Sequence, residues 1–377
     1  MTMPERRSAL IVGAGINGLC TARELVLRGW QVTVVERGPL PNPEAASWDH
    51  HRLIRSHYAG SPGLAARMPE ASAAWDRLFT DLDARPYVPC GVFSLSREPG
   101  DWTDRARAAF AETGLPHRVV ASEDLSTELP MVEPAGVRYA LMTEDGGALL
   151  SDRIIEGLVH WLEARGVTLL ANRPVTTVDA ETARVETPDG PLQADHLIVA
   201  AGVGLPALAP WFRRETHARR VAVVYADPPE DVRAAWDGAP AWVDLGGEDD
   251  LWGIPPVAGH PLKLGYGLHT RPGDPESERT ATPDDTAAVL AAYQERFRGA
   301  ERFTPVRTVA NFYLMAPHEE FVLRAEGRTL WLSADSGHGF KFGALTGQDV
   351  ADALEGDPEA VAARMRGAPL STARASG

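Results

Sequence analysis

Hydrophobic and polar positions alternate most tellingly near the start of the chain. Ser8 to Val12 and Gln31 to Val35 are short apolar runs of the kind that form fully buried strands. Between them, Leu19, Ala22, Leu25 and Val26 recur on one helical face, and Gly29 stops the pattern. Residues 63–83 and 101–113 read as helices, and "CGVFSLS" as a strand. "ALLSDRIIEGLVHWLEARGV" is an amphipathic helix with Ile154, Ile155, Leu158, Val159 and Leu162 as its stripe and Ser151 as the expected N-cap. "VTLLA", "PVTTVDA", "ARVETPDG" and "HLIVAAG" are short strands, the middle two forming a small meander. Residues 216–275 alternate in runs broken by Pro and Gly, which predicts an antiparallel sheet. "TPDDTAAVLAAYQERF" is a helix with Thr282 as N-cap and Pro283 at its first position. A last strand, "RTLWLSA", meets a loop that runs into a C-terminal helix. The whole predicts an α/β nucleotide-binding unit assembled from separated segments, with an antiparallel sheet domain inserted.

The turn after the first strand carries chemistry. Gly13-Ala14-Gly15-Ile16-Asn17-Gly18 matches G-x-G-x-x-G, and Glu36 ends the second strand. Gly13 permits the tight turn, Gly15 lets main-chain N–H groups approach a pyrophosphate at the helix N-terminus, and Gly18 lets helix and strand pack closely. The Glu36 carboxylate suits ribose hydroxyls and opposes a 2′-phosphate, so FAD or NAD fits and NADP does not. A partial repeat at Gly202-Val203-Gly204-Leu205-Pro206-Ala207 reads as a turn lining the same site, because Pro206 and Pro210 leave no room for a full helix.

Composition narrows the class. The 377 residues are 44% hydrophobic and 24% charged, a soluble globular balance, and only the Ala/Ser/Arg tail after Met365 has a disordered composition. A formal charge of −15 argues against a nucleic-acid partner. No apolar run approaches the roughly 20 residues of a membrane helix. "RRSALIVGAG" fits a buried first strand better than a twin-arginine signal, because Asn17 and Arg23-Glu24 follow closely. Cys20 and Cys90 make no metal-ligand spacing and no evident disulfide framework, and a cytoplasmic protein, monomeric or a small homo-oligomer, is expected. Asp49-His50-His51 has metal-ligand residue types without a third spaced ligand and reads as loop polarity, so no metal is expected.

One compositional oddity points to function. The chain has 35 arginines and two lysines, Lys263 and Lys341. Where arginine has replaced lysine almost everywhere, a surviving lysine marks a place where a planar guanidinium does not substitute for a compact ammonium.

Five stretches, "IVGAGINGLCTARELVLRG…VTVVER", "HRLIRSHY", "LKLGYG", "NFYLMAPHEEFVL" and "SGHGFKFGALTGQ", together resemble the D-amino-acid oxidase (DAO) family of flavoproteins, in its sarcosine oxidase and N-methyltryptophan oxidase branch. The resemblance implies a Rossmann-type, glutathione-reductase-like FAD-binding domain from residues 1–60, 145–215 and 305–377. An antiparallel-sheet substrate domain would then come from residues 61–144 and 216–304. It implies oxidation of a carboxylate-bearing amine or amino acid, with O2 as acceptor and H2O2 as product. Lys263 would sit by the flavin and promote its reaction with oxygen, because a fixed ammonium stabilises developing superoxide charge. Arg52 and Lys341 would grip the substrate carboxylate, and Tyr313 is retained in the "NFY" segment. Gly337, His338, Gly339 and Phe340 would lie near the flavin ring, Val175 near the adenosine, and Arg37 and Gly202 along the cofactor.

The chain also departs from that pattern. Asn311 stands where the linking cysteine of sarcosine-oxidase-type enzymes would be, so FAD is expected to be non-covalent. Trp48 replaces a pocket histidine, Trp252 a tyrosine and Gly267 a second histidine, with His269 close by. These changes suggest a substrate that is aromatic or otherwise larger than sarcosine. Two other readings stay open: a flavin dehydrogenase or tailoring enzyme acting on a non-amine substrate, against which Lys263 weighs, and a binding module without turnover, against which the carboxylate clamp weighs.

Overall fold

A computed structural model describes residues 6–367, so the tail composition beyond residue 367 lies outside the described residues. Its first layer is a six-stranded sheet in the order Val322–Glu326, Thr329–Ser333, His196–Val199, Ser8–Val12, Gln31–Val35, Thr168–Leu170. The last five strands are parallel, and Val322–Glu326 closes the edge as an antiparallel hairpin. Strands flanked on both faces have no polar side to show, which is why "ALIV" and "LIV" are unbroken apolar runs.

Helices Ile16–Leu27 and Gly339–Glu355 lie against each other on one face of this sheet. Their approach depends on missing side chains: a β-carbon at Gly347 would lie 2.6 Å from the Cys20 main chain, and one at Gly343 would lie 2.5 Å from Ile16. Gly18 performs the close packing expected of it, since its β-carbon would fall 1.9 Å from the Gly13 carbonyl oxygen.

The second layer is a nine-stranded sheet. Strands Arg271–Pro272, His217–Asp227, Leu262–Tyr266, Leu251–Ile254 and Ala241–Asp244 run in that order, antiparallel where they pair. Ala241–Asp244 then joins Val92–Ser96 in parallel. Tyr139–Thr143 and Arg118–Ala121 complete that edge. Its apolar face buries Phe93, Trp236, Trp242, Tyr293 and Phe297. The long strand Thr304–Met315 pairs with His217–Asp227 and so belongs to this sheet; the boundary with the nucleotide-binding layer falls after Met315, not at residue 305. Small sheets of Arg52–Ile54, Gly147–Leu149 and Tyr87–Val88, and of Thr177–Asp179, Arg184–Thr187 and Gly190–Gln193, fill the remainder.

Two capping expectations part ways. Thr282 forms a reciprocal capping box with Asp285 at the start of helix Pro283–Tyr293. Ser151 is not an N-cap: it is the first residue of helix Ser151–Ala164, and its hydroxyl donates 2.7 Å to the Asp49 carbonyl. That bond ties the helix to the 49–52 segment. Among the described residues no helix is long and apolar enough to cross a membrane.

Candidate active site

A single cavity of about 630 Å³ runs from the glycine-rich turn to the strand that carries Lys263. At its nucleotide end the walls are main chain. Gly13, at φ +103°, faces the Ala200 carbonyl so closely that a β-carbon would sit 2.5 Å from it. Gly15, Gly202, Gly204, Gly337 and Gly339 continue this side-chain-poor lining. Ala14 N–H donates 2.8 Å to Glu36 Oε2, while Gly38 N–H and Asn42 Nδ2 donate to Oε1 at 3.1 and 2.8 Å. Glu36 is thus buried and locked in place. Ser47 Oγ accepts the Ile16 N–H at 2.9 Å. Arg37 and Val175 line the cavity, Arg37 also pairing with Glu276 at 3.1 Å. Phe340 lines it too, whereas Gly18, His338 and Lys341 do not.

At the other end the chemistry centres on Asp49. Its Oδ2 accepts from Lys263 Nζ at 2.6 Å and Arg52 Nη1 at 2.7 Å, and its Oδ1 from the Tyr225 hydroxyl at 2.7 Å. The Asp49 and Lys263 side chains are each 2% exposed. Lys263 Nζ also donates to the His51 carbonyl at 2.8 Å. Burial alone would raise the Asp49 carboxyl, but the Lys263 and Arg52 charges hold it far below the usual carboxylate range. Burial lowers the Lys263 ammonium, and Asp49 opposes this, leaving it at about 8.

Arg52 was expected to join Lys341 in a carboxylate clamp. Arg52 lines the cavity, and its guanidinium donates to Asp49, to the Ala46 carbonyl at 2.6 Å and to the His51 carbonyl at 3.0 Å. The arginine whose charge bears most on Lys341 is Arg55. Arg55 Nη1 is buried without a hydrogen-bond partner among the described residues, and the guanidinium lies over the Tyr58 ring at 4.6 Å. Lys341 Nζ donates 3.0 Å to the Gly337 carbonyl, and burial followed by the Arg55 charge pushes it well below the usual lysine range. Neither side chain lines the large cavity, but each bears on groups that do: Arg55 on Asp250 and Glu319, Lys341 on Asp335 and Glu319.

The expected pocket residues divide. Trp252 and Tyr313 line the cavity, and burial pushes the Tyr313 hydroxyl up to about 12. Trp48 does not; it packs half-buried on the core of the nucleotide-binding layer. His269 is drawn away by the cap of helix Pro283–Tyr293, its Nε2 2.8 Å from Asp285 Oδ1. Burial pushes His338 down to about 4, so its imidazole is neutral, and it reaches Glu319 at 3.4 Å. His50, Asp152 and His260 cluster, but the two imidazoles are stacked 4.1 Å apart at 18°. Near-parallel stacked rings cannot both aim their in-plane lone pairs at one ion, and we propose no metal there.

Sequence reasoning missed Asp49, Asn42, Ser47, Asp250 and Arg55. For Asp49 a signal existed, an acid three residues before Arg52 in a chain with two lysines, but nothing local shows that Lys263 arrives from another sheet.

With this geometry in view the comparisons are decisive. Residues 8–353 match the family model described as FAD dependent oxidoreductase, DAO. The chain belongs to the DAO family of FAD-dependent oxidoreductases. N-methyl-L-tryptophan oxidase of Citrobacter koseri is 25% identical over 92% of this chain and 94% of its own. Two solved structures share the fold: NikD, an unusual amino acid oxidase essential for nikkomycin biosynthesis (TM-score 0.79, 20% identity, 97% and 98% of the two chains), and L-proline dehydrogenase from P. horikoshii (TM-score 0.80, 17% identity, 93% and 94%). The six-stranded layer is therefore a Rossmann-type FAD-binding domain. Its glycine-lined cradle fits the cofactor: Gly13, Gly15 and Gly202 leave main-chain walls that would take the diphosphate half, and the Glu36 carboxylate on the same wall would suit the ribose.

Removing one partner of a buried, fully hydrogen-bonded ion pair strands the other. Asp49→Ala is expected to lower unfolding free energy by about 3–5 kcal/mol in chemical denaturation. A loss below about 1 kcal/mol would show that Asp49 is not the anchor of this node.

Proposed function

We propose that the chain is an FAD-dependent oxidase of a carboxylate-bearing amine or amino acid, acting on its C–N bond. The observation that carries this reading is one cavity joining a dinucleotide cradle to a buried lysine ammonium, beside the buried Lys341 and the half-buried Arg55, whose Nη1 has no partner among the described residues. The chemistry FAD supplies when bound is two-electron oxidation of the amine to the imine, with the electrons passed to O2 as H2O2.

The chain's own residues do the rest. Arg55 and Lys341 repel one another in a site that disfavours charge, and a substrate carboxylate between them relieves both the repulsion and the unpartnered Nη1. We therefore assign the carboxylate to Lys341 with Arg55, in place of Arg52. Binding there orients the C–N bond toward the cavity. Lys263 supplies fixed positive charge for the oxygen reaction. Its ammonium persists below about pH 8 and is lost above it, so its help is present at neutral pH and fades as pH rises. The N-methylated amino acid in the name of the 25% identical relative supports a secondary amine. Trp252 on the cavity wall supports an apolar or aromatic substituent.

We further propose that FAD is held non-covalently. Asn311 lines the cavity two positions before Tyr313, and neither Cys20 nor Cys90 lines it. Acid precipitation of the yellow protein is expected to release the flavin into the supernatant; colour retained in the pellet would overturn this.

The function itself is tested anaerobically. N-methyl, cyclic and aromatic amino acids are mixed with the holoenzyme, and the oxidised flavin absorbance is followed. Bleaching by one class, reversed with H2O2 on admitting air, is expected. No bleaching by any of them contradicts the reading. In Arg55→Met the substrate concentration for half-maximal bleaching rate is expected to rise on the order of 30-fold or more, the loss of about 2 kcal/mol or more from a buried charged partner. In Arg52→Met the defect should instead appear in stability, through Asp49.

A further inference from the structure

One feature of the cavity wall is unused by the reaction just described. Strand Leu262–Tyr266 and the turn after it carry glycines at alternate positions, Gly265 and Gly267, facing the neighbouring strand Leu251–Ile254. Trp252 pairs with Gly265, and a β-carbon at Gly265 would sit 2.3 Å from the indole. Two residues earlier on the same face, Asp250 lies over Gly267, whose N–H donates 2.8 Å to the Asp250 carbonyl. A β-carbon at Gly267 would fall 1.7 Å from Asp250 Oδ2. The two glycines thus form a trough that holds an indole and a carboxylate side by side, both lining the cavity.

Asp250 stands free within this trough. Among the described residues it has no ion pair and no side-chain hydrogen bond, and it is an exposed residue that lines the cavity. Its backbone is in the left-handed region, φ +46°, an uncommon conformation that aspartate tolerates better than most residues. The charged groups that bear on it are Arg55, which favours its anion, and Glu319, which opposes it. Arg219, which lines the same cavity, donates to the Thr270 carbonyl at 2.6 Å and does not reach it. Although the residue itself is exposed, the protein packed around its carboxyl strips water from it and raises its pKa, so the anion gains from any cation that enters. A carboxylate beside an indole face is a recognition set for a cation, by charge-assisted hydrogen bond and cation–π attraction together.

We propose that Asp250 is a specificity-determining residue that receives a second, cationic group of the substrate, with Trp252 packing against that group's stem. The preferred substrate is then an amine bearing both a carboxylate and a further positive charge. This rests on the oxidase reading for the reaction, and on the trough alone for the cation.

The test uses matched probes that differ by one ammonium group: lysine against norleucine, in both enantiomers and with N-methylated α-amines. Binding to the holoenzyme is read from the perturbation of the flavin spectrum, and oxidation from kcat/KM. Lysine is expected to bind about 10- to 100-fold more tightly than norleucine. That ratio should fall toward one in Asp250→Asn. Gly267→Ala keeps the acid but drives it from the trough, and should collapse the same ratio; flavin content reports that each variant is folded. An equal ratio in the wild type, a ratio unchanged in Asp250→Asn, or no perturbation by either probe overturns the proposal. Equal weakening of both probes in Asp250→Asn also overturns it, because the contact would then be to the shared α-amino group. Failure of every amine to reduce the flavin defeats the oxidase reading instead, while the binding ratio still reports on Asp250.

Discussion

The site depends on one buried carboxylate. Asp49 accepts hydrogen bonds from Lys263, Arg52 and Tyr225, and its carbonyl accepts the Ser151 hydroxyl. Strands from the large antiparallel sheet, a strand of the small sheet and a helix of the FAD-binding layer therefore meet on a single residue. A lone lysine ammonium at this depth would shed its proton. Two cations sharing one anion leave a net positive charge that survives at neutral pH, held where the cavity ends. Stationing that charge in advance avoids reorganisation during the reaction, which is the main way a protein speeds a step in which negative charge develops.

The cavity itself follows from how the two layers join. Thr304–Met315 belongs to the antiparallel sheet, yet its end is bound to the loop that opens the helix Gly339–Glu355. Ser336 N–H donates 2.9 Å to the Leu314 carbonyl, and the Leu314 N–H donates 3.2 Å to Asp335. Fixing this seam sets the glycine-rich cradle at one end and the charged node at the other. The same seam places Tyr313 between them.

The nucleotide end was legible because its constraints are local: strand, tight turn, helix and acid follow one another within 36 residues, and each leaves a mark in composition. The substrate end was only partly legible. The resemblance points to Arg52 as the substrate residue in the R-x-x-R of "RLIR", but in an extended segment residues three apart face opposite sides. Only one of the two can meet Asp49 and Lys263, and the other turns toward Lys341. Trp48 and His269 were near the right motifs in sequence, yet core packing took the indole and the Asp285 cap took the imidazole. Ser151 was a plausible cap by residue type, and a tertiary partner claimed its hydroxyl. Each miss has the same cause, a long-range partner that the local sequence does not contain.

The most direct test is the pH dependence of flavin reoxidation by O2, measured by stopped flow in the wild type and in Asp49→Asn with full flavin content. The wild-type rate should fall above about pH 8 as Lys263 loses its proton, and in Asp49→Asn that fall should begin at lower pH, because Asp49 is the group that holds the proton on. A flat wild-type profile, or the same limb in both proteins, would contradict a reactive Lys263 stationed by Asp49.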